Sequence, residues 1–134
     1  MRSPRWGDKT VDIETLIGET PVKITDMVDG AEKVTITTKS GREFVMYHRQ
    51  DCCEHVYLAE VIGDVLCLVD TPILQARMDT NSDEPSTHEY SEDHLWTFYH
   101  ISTVKGTVTL RWLGESNGYY GISVDFVELL EDSE

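Results

Sequence analysis

Along most of the chain, hydrophobic residues recur at every second position, the spacing that puts them on one face of a β-strand. Val22/Ile24, Val34/Ile36 and Phe44/Met46/His48 are three such runs, separated by Asp29-Gly30 and Ser40-Gly41. They predict a three-strand meander. The same residues fix the register, because a slip of one position turns every side chain to the other face. A Lys39-Ser40-Gly41 loop opposes Ile36 to Phe44 and Val34 to Met46, with Gly41 left-handed, whereas a tight Ser40-Gly41 turn would oppose Thr37 to Phe44. The apolar pairing selects the longer loop.

Towards the C-terminus, Trp96/Phe98/His100, Val108/Leu110/Trp112 and Tyr120/Ile122/Val124/Phe126 alternate in the same way and predict three further strands. A Ser116-Asn117-Gly118 loop would oppose Trp112 to Ile122 and Leu110 to Val124. Alternation then assigns Trp96, Trp112 and Tyr120 to the core, and Tyr99, Arg111 and Tyr119 to the opposite face. Between the meanders, Val56 to Asp64 reads as a strand, and Leu66 to Val69 with Pro72 to Met78 as another, Pro72 standing at its start or edge. Helical spacing occurs only at Asp12 to Gly18, where Ile13, Leu16 and Ile17 share a face, Asp12 can cap and Gly18 can terminate. Residues 79–94 are acidic and aperiodic and read as a flexible loop, while 1–10 and 131–134 read as frayed ends. The expected fold is a mainly β single domain over residues 1–134. Its antiparallel meanders form a sandwich or partly open barrel, with one short N-terminal helical turn.

Charge narrows the function classes. Twenty-five acidic against 11 basic residues give a net charge of −14, and no Lys/Arg cluster interrupts it, so direct nucleic-acid binding is disfavoured. An acidic surface can instead imitate nucleic acid. Three cysteines, two of them adjacent, point to reduced thiols rather than a disulfide framework. No apolar run is long enough to span a bilayer and the N-terminus lacks a signal-peptide core, so the expected location is the cytoplasm, without membrane association.

The densest chemistry is Tyr47-His48-Arg49-Gln50-Asp51-Cys52-Cys53-Glu54-His55. Adjacent cysteines diverge and lack the usual zinc-ligand spacing, so no metal is expected there. A Cys- or metal-dependent enzyme centred on His48 to His55 is an alternative; the bland reading is a core thiol, with His48 and Asp51 hydrogen-bonding a turn. Asp79-Thr80-Asn81-Ser82-Asp83 opens like a calcium loop, but Glu84 stands where Gly is needed and Tyr90 where Glu is needed. The aromatic meander offers Tyr99, Arg111, Ser116, Asn117 and Tyr119 as groups that could stack and hydrogen-bond a flat ligand. Walker, dinucleotide-glycine, HExxH and nucleophile-elbow motifs are absent, so no cofactor is expected and binding is favoured over catalysis.

The blocks from Tyr47 to Glu54, Gly63-Asp64 with Pro72-Ile73-Leu74, Trp96 to Tyr99, Arg111-Trp112 and Ser116 to Tyr120 together resemble a family of short proteins. That family is a domain of unknown function frequent in bacteriophage genomes. The likeness runs from about Leu16 to Phe126, departing at Cys67 and in the 79–94 insert. It implies a phage accessory protein in the cytoplasm of the infected bacterial host. By the habit of such proteins, the expected role is counter-defence, with a nucleotide-like immune signal as the ligand and an oligomer as an allowed state. An acidic inhibitor of a host defence protein is the other reading. Candidate ligand-binding residues are Tyr99, Arg111, Ser116, Asn117, Tyr119, His48 and Asp51.

Overall fold

The computed structural model describes residues 9–48, 54–81, 93–116 and 122–129. Among them the period-two segments form two antiparallel sheets. The first contains β1 (Lys9–Thr10), β2 (Pro21–Thr25), β3 (Lys33–Thr38), β4 (Glu43–Tyr47) and β9 (Asp125–Leu129), in the order β1-β9-β4-β3-β2. The second contains β5 (His55–Ile62), β6 (Gln75–Asn81), β7 (Asp93–Thr103) and β8 (Gly106–Ser116), in the order β5-β8-β7-β6. Neither sheet closes on itself, and the arrangement is a β-sandwich. Helical structure among the described residues is confined to two single 3₁₀ turns, Ile13–Leu16 and Val65–Cys67. No helix of the described residues is long and apolar enough to cross a membrane.

The core forms because each sheet turns one apolar row inward. Val34, Ile36, Phe44, Met46 and Phe126 of the first sheet meet Val56, Leu58, Tyr99, Ile101, Leu110 and Trp112 of the second, with Ile13 and Leu16 of the first 3₁₀ turn packed in. Phe44 and Phe126 stack at 5.5 Å between ring centroids, and the Tyr99 ring lies 6.4 Å from Phe126. The β5 edge is covered where Leu58 accepts from the Gly30 amide at 2.6 Å and donates to the Ala31 carbonyl at 2.6 Å.

The first meander follows the sequence expectation. Ile36 pairs with Phe44 and Val34 with Met46, and Gly41 takes φ +92°, as the longer loop requires. The expected helical turn lies at Ile13–Leu16, and Gly18 follows it at φ +90°, although Ile17 is half exposed.

The second meander does not follow it. β8 pairs with β5 and β7, and β9 belongs to the other sheet, beside β4 and β1. The expected hairpin opposing Trp112 to Ile122 is therefore absent. Close packing replaces it: a Cβ added to Gly114 would lie 2.4 Å from the Ile122 carbonyl oxygen. The inward row of β7 is also opposite to the expectation. Thr97, Tyr99 and Ile101 pair with Trp112, Leu110 and Val108 on the core side, leaving Trp96, Phe98 and His100 with Arg111 on the outer face. Both rows of β7 are apolar, so alternation alone does not decide which one faces in.

Boundaries shift as well. β6 begins at Gln75 rather than at Pro72, Val65–Cys67 is a 3₁₀ turn, and β6 and β7 extend into the 79–94 stretch as far as Asn81 and from Asp93. Cross-strand pairing of Asp79 with Phe98 and Asn81 with Trp96 holds those polar residues in the ladder. Lys9–Thr10, expected to fray, pair with β9. Residues 1–8, 82–92 and 130–134 lie outside the described residues.

Candidate functional site

Three places hold the chemistry that the sequence singles out. The first grows from the His48 block, where the chain leaves β4 and returns as β5. His48 Nδ1 lies 2.7 Å from the Ser123 carbonyl oxygen, and Nε2 lies 2.7 Å from Glu54 Oε2. A carbonyl only accepts, so Nδ1 is the donor to Ser123, while Nε2 faces the Glu54 carboxyl. The side chains are 7% and 0% exposed. Both imidazole nitrogens are thus engaged and shut from solvent, leaving neither to take a proton from a substrate. The pair acts as a staple from the β4–β5 connection to the segment before β9. Asp51, Cys52 and Cys53 lie outside the described residues. Among the described residues no group of three or more His, Cys, Asp and Glu side chains could hold a metal ion.

The second place is the outer face of the β5-β8-β7-β6 sheet. Arg111 stands over the Trp96 ring at 4.6 Å and over Phe98 at 5.8 Å, and its Nη1 donates to Glu60 Oε1 at 2.6 Å. Trp96 stacks on Phe98 and Phe98 on His100, which meets Asp79 at 3.1 Å. Arg111 is therefore held by a carboxylate and two rings of its own sheet. Trp96 is 4% exposed, so its ring offers little surface to a flat ligand. Ser116 ends β8 opposite Asp93, while Asn117 and Tyr119 lie outside the described residues.

The third place is one that local patterns could not indicate. Where β1 and β9 meet β6 and β7, the sandwich opens into a cleft of about 420 Å³. Its lining includes Asp12, Glu14, Met78, Tyr99, Asp125 and Phe126. Among the described residues that line it, none is basic. Tyr99, expected on the outer face with Arg111, is instead 1% exposed and forms part of this cleft. Burial, and secondarily the charge of Asp125, push its hydroxyl well above the ordinary tyrosine value, so it stays neutral.

Elsewhere the described arginines are consumed in ion pairs. Arg42 donates from Nε and Nη2 to Glu128 at 2.8 and 2.7 Å and from Nη1 to Glu19 at 2.9 Å, while Arg77 pairs with Asp79. Hydrogen bonding from Arg42 holds the Glu128 carboxyl below its ordinary value. Partial burial would raise Glu19, but hydrogen bonds from Ser40, Arg42 and Thr38 outweigh it and leave that carboxyl lowered too.

Residues 14–126 match the family model described as a domain of unknown function, DUF7448. The chain belongs to the DUF7448 family. No curated protein and no solved structure matched the chain. The DUF7448 match runs from the helical turn through β2 to β8 and Ser123 to the first two residues of β9, so the staple and the aromatic face lie inside the family's boundaries, while β1 and the Asp12 side of the cleft lie outside them.

Within this DUF7448 domain the geometry brings together only part of the expected site. His48 is joined to Glu54, which stands in the same sequence block but carried no assigned role. Arg111 and Tyr99 occupy opposite faces of one sheet and cannot share a ligand. The cleft assembles Asp12, Tyr99 and Asp125 from three distant segments.

Proposed function

We propose that the chain is an acidic binding protein that engages a cationic partner, and that in the setting of phage infection this partner is a basic, nucleic-acid-binding protein of host defence. The observation that carries the reading is the uncompensated charge. The chain carries −14, and all three arginines among the described residues, Arg42, Arg77 and Arg111, are already paired with carboxylates. Such a field repels anions and speeds the approach of cations. The phage setting rests on the family resemblance and on nothing in the geometry.

Sequestration of a nucleotide-like signal is the less favoured role for this surface. Its support is the row of Trp96, Phe98 and Arg111, but Glu60 already neutralises that guanidinium. Expression in bacteria carrying defined defence systems tests the proposal. The expected result is restored phage plating with the chain co-purifying with the defence protein of that system, and release of that protein by duplex DNA. Restored plating with a bound nucleotide and no bound protein would contradict it.

A further inference from the structure

We infer that β6 is an interface strand, whose free edge pairs antiparallel with β6 of a second copy of the chain. The inference goes beyond the cationic-partner reading and does not depend on it. Two open sheets have four edges, and among the described residues the other three are blunted. β1 is two residues long, and β2 begins at Pro21, carries Lys23 and is broken by a bulge between them. β5 has a bulge between Leu58 and Glu60, and Gly30 and Ala31 cover its edge. Short strands, Pro, Lys, bulges and covering loops are the devices that keep an edge from pairing with another chain. β6 instead runs unbroken from Gln75 to Asn81, without Pro, Lys or bulge. Among the described residues, the backbone of Gln75 to Thr80 makes no hydrogen bond beyond the β7 ladder. The Ile13–Leu16 turn packs on the core side of the strand, where Ile13, Leu16 and Ala76 share one cluster. Along the edge, Ile17, Leu74 and Met78 are 48%, 55% and 47% exposed.

The residues of the strand select both the occupant and the register. β6 has seven residues, so full overlap of two antiparallel copies centres the two-fold axis on Met78. That alignment opposes Gln75 to Asn81, Ala76 to Thr80 and Arg77 to Asp79, each pair occurring twice by symmetry. A slip of two residues in either direction sets Arg77 against Arg77 or Asp79 against Asp79, which like charges disfavour. Strand length and charge therefore agree on one alignment. Within each copy Arg77 already pairs with Asp79 on the outer face, and the dimer joins the two pairs into a network of four alternating charges around the axis. It also covers the exposed Met78 with its own counterpart. A basic or an acidic peptide strand would satisfy only one of the two charges, whereas a second copy satisfies both.

Analytical ultracentrifugation of the full chain tests this at physiological salt, which screens the −14 carried by each copy. From micromolar to millimolar concentration the mass should rise from 15.3 kDa towards twice that value. Pairing of single edge strands buries little area, so the dimer is a weak one. Arg77→Glu and Asp79→Arg should each weaken it by about tenfold or more, because like charges then face each other at two symmetric positions. Mixed in equal amounts, the two variants should associate again, since each supplies the charges that the other lacks when position 77 faces position 79. Met78→Lys, which puts two cations on the axis, should also dissociate the dimer. All three side chains are exposed, so melting curves of the dilute variants should match that of the native chain. A monomer at every concentration overturns the inference. So does a dimer indifferent to all three variants, or a mixture of the two charge variants no more associated than either alone.

Discussion

Replacing Tyr99 tests the sandwich and the cleft together, because the two readings of β7 give opposite outcomes. If Tyr99 faced outward with Arg111, truncation would move stability by under about 0.5 kcal/mol. In the sandwich the residue is 1% exposed and packs near Phe126. A buried aromatic removes about 150–250 Å² from water, which at about 25 cal/mol per Å² is roughly 4–6 kcal/mol as an upper estimate. Alanine retains part of that and leaves a cavity, so Tyr99→Ala should cost about 3–5 kcal/mol. For a chain of this length that lowers Tm by about 10–20 °C. Tyr99→Phe should stay within about 0.5 kcal/mol, since nothing among the described residues hydrogen-bonds the hydroxyl. Arg111→Ala on the outer face, losing the Glu60 pair and the ring contacts, should cost only about 0.5–1.5 kcal/mol. Urea unfolding followed by circular dichroism measures all three. A cost below about 1 kcal/mol for Tyr99→Ala would refute the β7 face assignment, and the cleft with it.

Gly114→Ala should destabilise strongly, by about 2 kcal/mol or more, because its Cβ would meet the Ile122 carbonyl oxygen at 2.4 Å; a thermal shift assay showing no change would contradict that packing. The lowered Glu19 and Glu128 carboxyls contribute stability that is fully present above the unfolded value of about 4.5 and is lost as pH falls through their lower folded values. Glu128→Gln should therefore flatten the acid limb of a Tm-versus-pH curve below about pH 4.5. His48→Ala and Glu54→Ala should each be costly, about 3–5 kcal/mol if the buried pair is broken, and a double-mutant cycle should show that their effects are not additive.

The local parts of this fold were legible and the non-local parts were not. The β2-β3-β4 meander could be read because Gly41 fixes a loop whose register the apolar rows confirm independently. On β7 the rows Trp96/Phe98/His100 and Thr97/Tyr99/Ile101 are both apolar enough to face inward, and only the partner strands decide between them. The move of β9 to the other sheet is a topological choice, made about 80 residues away at β4, and no turn signal encodes it. The same limit applies to the sites. His48 and Glu54 stand in one dense sequence block and could be suspected, whereas Asp12, Tyr99 and Asp125 share no motif and meet only after the sheets assemble.

Selectivity by charge tests the central claim most directly. Calorimetric titration of the native chain with an arginine-rich peptide, a glutamate-rich peptide of equal length and a panel of cyclic nucleotides, each at low and at physiological salt, separates the readings. The expected result is saturable binding of the arginine-rich peptide alone, with affinity falling as salt rises. Saturable binding of a nucleotide, with no response to the arginine-rich peptide, would contradict the claim.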